Sequence, residues 1–155
     1  MQTDVIRVRE LTVKYTVKKV TLIEPLLAGP VLRTALAAAA LLTQKLQDEP
    51  SEIFAILCLD LKFRLIAYHE VSRGTLHSTC AHPREVFRAA LLANAAALIL
   101  AHNHPSGDPS PSAPDFQMTH RLCEAGELLG IPIHDHLIIG DGNYFSFRDA
   151  ERLRT

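Results

Sequence analysis

An uninterrupted apolar segment, residues 95–101, constrains the fold of this chain more than any other feature. A strand with no polar side chain on either face is typical of the buried centre of a sheet. Asn94 predicts a turn just before this strand. Further upstream, Pro83 and Glu85 stand in the first turn of a predicted helix, where proline and acidic side chains are favoured. We therefore expect a helix, a turn and a central strand in this order.

The other segments show helical or strand periodicity. Apolar residues at helical spacing predict two more helices, one at residues 31–47 and one from Asp115 to Gly130. Paired apolar runs predict two hairpins, with strands at 53–61 and 64–71, and at 137–140 and 144–147. Glu52 stands at the entrance of the first of these strands. Helices and hairpins together predict an α/β domain.

Length and composition fit a single compact domain. The chain has 155 residues, of which 48% are hydrophobic and 21% charged, enough to bury a core. Residues 11–17 alternate apolar and polar side chains, as a half-buried strand does. We expect a strand-like N-terminal extension, 1–28, ahead of one main domain, 29–155.

The charge balance gives no support to a partner that is a polyanion. The formal net charge is -1 and the sequence pI is near 6.7. Positive side chains are in excess only near the start, at Arg7, Arg9, Lys14, Lys18 and Lys19. A solvated edge strand carries lysines in the same way, and we favour that interpretation. DNA is thus a possible partner that the charge does not support.

The cysteines and the apolar runs bear on the cellular compartment. Cys58, Cys80 and Cys123 are far apart and form no Cys-x-x-Cys pair, as expected of reduced cytosolic thiols. The start has no signal-peptide pattern and the apolar stretches are too short to cross a bilayer. We expect a cytoplasmic protein without a membrane partner. A hydrolase using Cys80 is an alternative without a supporting motif.

The candidate chemistry lies where the central strand ends. His102 and His104 are two residues apart, which on a strand puts both rings on one face. A proline-rich loop then leads to Asp115, so three ligands could leave a fourth position to water, as catalytic zinc sites do. A polar strand end followed by an aspartate helix cap would give the same pattern. The His-x-His spacing by itself leaves both readings open.

A longer pattern carries a family resemblance. His102-x-His104, seven residues, Ser112, two residues and Asp115 resemble the signature of the JAB/MPN (JAMM) metalloproteases. Residues 102–108, His-Asn-His-Pro-Ser-Gly-Asp, resemble the bacterial RadC branch. The resemblance continues through Gly74-Thr75 and residues 82–85, 124–129 and 135–140, and covers about 52–147.

The resemblance implies a fold, a metal and a reaction. The implied fold is a three-layer, cytidine-deaminase-like α/β domain: a mixed sheet flanked by helices, with the metal site at one sheet end. One zinc per chain would be held by His102, His104 and Asp115, and Ser112 would hydrogen-bond the developing oxyanion. An upstream glutamate would be the general acid/base. The implied reaction is hydrolysis of a peptide, isopeptide or related amide bond in a peptide or protein substrate.

Two glutamates compete for the acid/base role. The family places this residue where a helix hands over to the first core strand, which favours Glu52. Glu70 is the alternative, although a solvated position on an alternating strand explains it. Glu85 is better explained as a charge at a helix N-terminus.

Two other functions compete with hydrolysis. The RadC branch is associated with DNA repair, so a DNA repair or recombination accessory factor is one alternative, and a non-catalytic interaction scaffold is the other. RadC-like proteins usually carry a helix-hairpin-helix region ahead of the metal domain. The extension 1–28 is too short for one, so the chain resembles the short form found with mobile genetic elements.

Several other polar residues receive weaker predictions. Ser106 and Asp108 are candidates for shaping the site, although turn chemistry explains them nearly as well. We expect His134-Asp135-His136 to be a hydrogen-bonded structural group and not a second metal site. His82, Arg84 and His136 are candidates for lining a substrate cleft.

Overall fold

One mixed five-stranded sheet organises the computed structural model, which describes residues 29–74 and 81–153. The strands are β1 Glu52–Leu59, β2 Leu65–Gly74, β3 Ala97–Asn103, β4 Ile133–Ile139 and β5 Tyr144–Ser146. Their order in the sheet is β2-β1-β3-β4-β5. β3 and β4 run parallel, and the other neighbours are antiparallel. The predicted extension 1–28 lies outside the described residues.

Each of the three helices begins at a side-chain cap. The helices are α1 Ala35–Leu46, α2 Pro83–Leu92 and α3 Ala113–Leu129. The side chains of Thr34, His82 and Ser112 accept hydrogen bonds from backbone N–H groups of the first turns. These caps supply acceptors for N–H groups that have no partner within the helix.

Two predicted helix starts were wrong by a few residues. α1 begins at Ala35 and not at residue 31, because Thr34 caps it and Val31 pairs in a β-bridge with Arg64. α3 begins at Ala113, two residues before Asp115, because the cap is Ser112. In both cases a capping side chain sets the boundary, and the apolar period does not.

The central strands are buried on both faces, and the predicted strand 95–101 corresponds to β3, which begins at Ala97 and extends to Asn103. On one face, alternate residues of β1 and β3 pack with α1, including Leu57 and Ile99. On the other face, Phe54, Ile56 and Leu100 pack with side chains of α2 and α3. Helix, sheet and helix form three layers, so the predicted α/β class with a mixed, helix-flanked sheet is confirmed.

Both predicted hairpins are present. The β1–β2 turn is closed by Asp60, whose carboxylate accepts hydrogen bonds from the backbone N–H groups of Lys62 and Arg64. In the second hairpin, β4 begins at Ile133, four residues earlier than predicted. The strand includes His134, Asp135 and His136. Because these three side chains are polar, the apolar pattern predicted a start only at Leu137. These residues lie in β4 and thus next to β3.

Two described cysteines are buried thiols. Cys58 and Cys123 form no disulfide, and burial raises the pKa of Cys58 to about 11. Cys80 lies outside the described residues. Across 29–74 and 81–153, no helix is both long enough and apolar enough to span a bilayer.

Candidate metal centre

Three predicted ligands converge at the end of β3. His102 and His104 present their Nε2 atoms 3.1 Å apart. Asp115, in the first turn of α3, places Oδ1 3.2 Å from Nε2 of His102 and Oδ2 3.5 Å from Nε2 of His104. The potential ligand atoms all lie within 4.8 Å of one another. His102 and Asp115 are buried, whereas His104 is partly open to solvent, so the group can hold a metal ion reached from one side.

Ser112 fixes the carboxylate of Asp115. The Ser112 hydroxyl donates to Oδ2 of Asp115 at 2.6 Å, and the Ser112 backbone N–H donates to the same oxygen at 2.7 Å. The Asp115 N–H donates back to the Ser112 hydroxyl oxygen, which completes a capping box. Ser112 therefore orients Asp115 in this structure, a contact different from the oxyanion donor that the family resemblance implies.

The electrostatics of the three residues favour a bound cation. Burial by itself would raise the pKa of the Asp115 carboxyl, yet its contacts with His102 and His104 hold that pKa well below its usual range. The hydrogen bond to Asp115 is the largest of the causes that raise the pKa of His104. A carboxylate that stays ionised beside two imidazoles provides the negative charge that a metal ion requires.

The donor set fits zinc. Nδ1 of His104 lies 2.8 Å from the backbone oxygen of Asp108, which only accepts hydrogen bonds, so Nδ1 carries the proton. When a metal ion is bound, the neutral ring with this tautomer would present an unprotonated Nε2 to it. Nδ1 of His102 also has another partner, His136, which leaves Nε2 of His102 facing the same point. Two imidazole nitrogens and one carboxylate match the ligand types of three-ligand zinc sites.

Glu52 lies beside these ligands at the start of β1. The antiparallel β1–β3 register places Phe54 opposite His102. Because side chains alternate between faces, Glu52 lies on the same face as Phe54. It is two residues nearer the end of the sheet at which β1 begins and His104 follows His102. The charge of Glu52 adds to the effect of Asp115 in raising the pKa of His104. Glu52 therefore belongs to the surroundings of the metal centre.

Glu70 lies on the opposite face of the sheet. It pairs with Ala55 of β1, whose side chain packs with the α1 layer. Its carboxylate forms an ion pair with Arg73 at 2.8 Å, and Arg73 also binds Glu49. The structure therefore brings Glu52, and not Glu70, towards His102 and His104.

Asn103, between the two histidines, has a role that sequence reasoning missed. Its side chain is buried and bonds the segment that leads into β1. Oδ1 accepts from the backbone N–H of Ile53 at 2.8 Å, and Nδ2 donates to the carbonyls of Ser51 and Glu49 at 3.1 and 3.3 Å. These bonds hold the backbone on both sides of Glu52.

The residues of the loop after His104 act mainly through the backbone. The carbonyl of Asp108 orients His104, and the Asp108 carboxylate accepts from the N–H of Ser110. Ser106 accepts from the N–H of Asp108 at 3.4 Å. Asp108 therefore orients His104 through its backbone carbonyl, and its carboxylate stabilises the turn by accepting from Ser110.

His134, Asp135 and His136 differ in their surroundings. Asp135 bonds Ser146 and the backbone of Arg148, as expected for a structural group. His136, a candidate for lining a substrate cleft, is fully buried and offers no surface to one. Nε2 of His136 instead lies 2.9 Å from Nδ1 of His102. His136 thus contacts the candidate ligand His102 at Nδ1, the ring nitrogen opposite the one that faces His104 and Asp115.

The two remaining cleft candidates lie at the start of α2. Nδ1 of His82 accepts from the backbone N–H of Arg84, which makes His82 the cap of α2. The Arg84 guanidinium is exposed and pairs with Glu85. Neither residue is among the described contacts of the metal ligands.

Comparisons with known proteins show which family the sequence matches. The family model of the RadC-like JAB domain matches residues 32–153. A UPF0758 protein of Desulforudis audaxviator is 49% identical over 119 residues, which are 77% of this chain and 52% of that protein. A UPF0758 protein of Trichlorobacter lovleyi is 54% identical over 109 residues, 70% of this chain and 47% of that protein.

The length of these matches limits what they say about whole proteins. A further UPF0758 protein, from Methanosarcina acetivorans, is 49% identical over 115 residues, 74% of this chain and 50% of its own length. The chain spans about half the length of the curated relatives it matches. The family match itself extends over most of the described residues. On this evidence the chain belongs to the RadC-like JAB domain family.

Proposed function

We propose that this chain is a zinc-dependent hydrolase that cleaves a peptide or isopeptide bond in a peptide or protein substrate. The observation that carries the proposal is the convergence of the two Nε2 atoms of His102 and His104 on the carboxylate of Asp115. Three protein ligands of this type, with one side open, are the arrangement of catalytic zinc and not of structural zinc. Partial exposure of His104 supplies the open side.

His102, His104 and Asp115 would hold the metal. When bound, zinc would act as a Lewis acid that polarises a carbonyl and lowers the pKa of water towards about 7. The protein contributes rigidity, because His102 is buried in β3 and Asp115 is fixed by the capping box. Ligands held in place by buried elements lose little entropy on binding.

Glu52 would be the proton carrier. In this proposal its carboxylate takes a proton from the attacking water and returns it to the leaving amine as the C–N bond breaks. Glu52 lies on the metal-site face of β1, and Asn103 holds the backbone on both sides of it. Glu70 has no access to this proton path because it pairs with Arg73 on the other face.

Ser112 would donate a hydrogen bond to the oxyanion that develops on the substrate carbonyl. In the structure its hydroxyl donates to Oδ2 of Asp115, so this role requires a rotation about the Cα–Cβ bond. The Ser112 backbone N–H would continue to hold Oδ2 during that rotation. Removing one such donor typically lowers kcat by about 100-fold or more.

Elemental analysis of the purified chain tests the metal site first. We expect about one zinc per chain in the wild type, and loss of that zinc in His104→Ala and Asp115→Ala. His120→Ala is the matched control, because His120 is an exposed histidine on the same helix as Asp115 and pairs only with Glu124 in the described contacts. A folded wild type that takes up no added zinc would contradict the proposal and favour a scaffold or a DNA-accessory role.

Amide hydrolysis is tested with two glutamate variants. Fluorogenic peptide and isopeptide substrates are screened with wild type, Glu52→Gln and Glu70→Gln, each with its zinc content measured. We expect Glu52→Gln to retain zinc and lose at least about 100-fold in kcat, and Glu70→Gln to keep activity. Equal loss in both variants would contradict the assignment of Glu52.

A further inference from the structure

A chain of buried polar side chains leads away from the metal centre. Nδ1 of His102 lies 2.9 Å from Nε2 of His136, and Nδ1 of His136 lies 2.6 Å from the hydroxyl of Thr119. That hydroxyl lies 2.6 Å from the backbone oxygen of Asp115. All four residues are buried. This series of hydrogen bonds therefore begins at one proposed ligand, His102, and ends at the backbone of another, Asp115.

The last hydrogen bond of this series, from Thr119 to Asp115, sets the proton positions in the others. The carbonyl of Asp115 only accepts hydrogen bonds, so the single hydroxyl proton of Thr119 is donated to it. The Thr119 oxygen must then accept from Nδ1–H of His136. A neutral His136 with its proton on Nδ1 has a free lone pair on Nε2.

The lone pair on His136 in turn sets the tautomer of His102. Nε2 of His136 accepts from Nδ1–H of His102, so a neutral His102 would present an unprotonated Nε2 to a metal ion held with His104 and Asp115. The opposite arrangement would need protons on both nitrogens of His136. In a neutral His136, the hydrogen-bond geometry therefore allows one direction of donation, from His102 to His136 and from His136 to Thr119.

Aromatic packing holds His136 in this orientation. The ring of Phe147 stacks on it with centroids 4.8 Å apart and an angle of 9° between the planes. The ring of Phe54 packs against it edge-on, at 5.8 Å, and also stacks on His102. The backbone of His136 accepts a hydrogen bond from the N–H of Phe147. A ring packed on two sides cannot turn to exchange its hydrogen-bonding edge.

We propose that His136 and Thr119 are positioning residues for the metal ligand His102, and that they keep Nε2 of His102 unprotonated and aimed at the metal. The inference rests on the proposed function, because it concerns the same metal centre. It assigns β4 and the second turn of α3 a part in metal affinity, although neither residue is one of the three proposed ligands. Partners of this kind typically contribute about 10- to 100-fold to metal affinity.

Zinc affinity, measured by competition with a chromogenic chelator, tests the inference. We expect His136→Leu to bind zinc about 10- to 100-fold more weakly than wild type. His136→Gln should bind zinc more tightly than His136→Leu and close to wild type, because an amide can accept from His102 and donate to Thr119. His120→Leu, at an exposed neighbour of Thr119, should leave the affinity unchanged.

A second variant and a spectrum separate positioning from folding. Thr119→Val keeps the shape of the side chain and removes the acceptor for His136, so it should also weaken zinc binding. It therefore tests the inference even if His136→Leu fails to fold. In the zinc-loaded wild type, long-range ¹H–¹⁵N spectra of His136 should show a proton on Nδ1 and none on Nε2. If His136 and Thr119 had only a structural role, their variants would lower thermal stability and leave zinc affinity unchanged.

The outcomes distinguish the two proposals. A wild type that binds no zinc contradicts the proposed function and the inference together. A wild type that binds zinc, with His136→Leu or Thr119→Val binding equally tightly, contradicts the inference alone. A proton on Nε2 of His136 in the zinc-loaded chain also contradicts it. Weaker binding in both variants, with recovery in His136→Gln, supports it.

Discussion

Oδ1 of Asn103 accepts a hydrogen bond from the backbone N–H of Ile53 over 2.8 Å, which ties the end of β3 to the residue that follows Glu52. Nδ2 of the same amide donates to the carbonyls of Ser51 and Glu49. One buried side chain thus bonds three backbone groups around the proposed proton carrier. The middle residue of the His-x-His sequence therefore bonds the backbone around Glu52 and is not one of the candidate metal ligands.

Replacing Asn103 should lower stability without changing metal binding. Asn103→Ala leaves the N–H of Ile53 and two carbonyls without a partner, and we expect a loss of about 1–3 kcal/mol in the free energy of unfolding. Urea denaturation measures this loss. Zinc stoichiometry should stay near that of the wild type, because His102, His104 and Asp115 are held by other contacts. An Asn103→Ala chain as stable as wild type would show that these bonds contribute little.

Sequence patterns could select the three candidate ligands because each lies at a recognisable boundary. His102 and His104 follow an apolar strand, and Asp115 stands in the first turn of a helix. His136 and Thr119 could not be linked to them in this way. Their contacts depend on the parallel register of β3 with β4, and sequence periodicity does not specify which strands are neighbours.

The choice between the two glutamates shows a second limit. Phe54 pairs with Ser72, but a β-bulge then pairs Ala55 with Glu70. An unbroken register would have put Glu70 opposite Ile56, on the face of the metal centre. The bulge moves it to the other face, where it meets Arg73. Nothing in the alternation of the β2 sequence marks the extra residue.

Ser112 should affect both the helix and the metal. Ser112→Ala removes the cap of α3 and the hydroxyl that donates to Asp115, so we expect a loss of about 1 kcal/mol in unfolding free energy. Zinc affinity should fall about tenfold, because one oxygen of the ligand loses a hydrogen bond. Ser112→Thr is the matched control, since threonine retains the hydroxyl and also caps helices. Equal affinities in all three chains would exclude Ser112 as an orienting residue.

Cys58 should resist alkylation in the folded chain. It lies fully buried in β1, and burial raises the pKa of its thiol to about 11, so almost no reactive thiolate forms at pH 8. Iodoacetamide at pH 8, followed by peptide mass spectrometry, should leave Cys58 unmodified. The same treatment in denaturing guanidinium should modify it fully. Rapid modification under native conditions would show that β1 opens more readily than its place at the centre of the sheet allows.

Removing the metal should lower stability without unfolding the chain. The metal centre lies at the end of the sheet, whereas both apolar clusters extend through the layers of α1 and of α2 with α3. Zinc bound only to the folded state, at a free concentration of 100 times Kd, would add about 2.7 kcal/mol to the unfolding free energy. We therefore expect a chelator to lower Tm while the far-ultraviolet circular dichroism at 25 °C stays unchanged. Asp115→Ala should show no such shift of Tm with zinc or chelator, and a chain that unfolds on chelation would instead indicate that the metal holds the fold together.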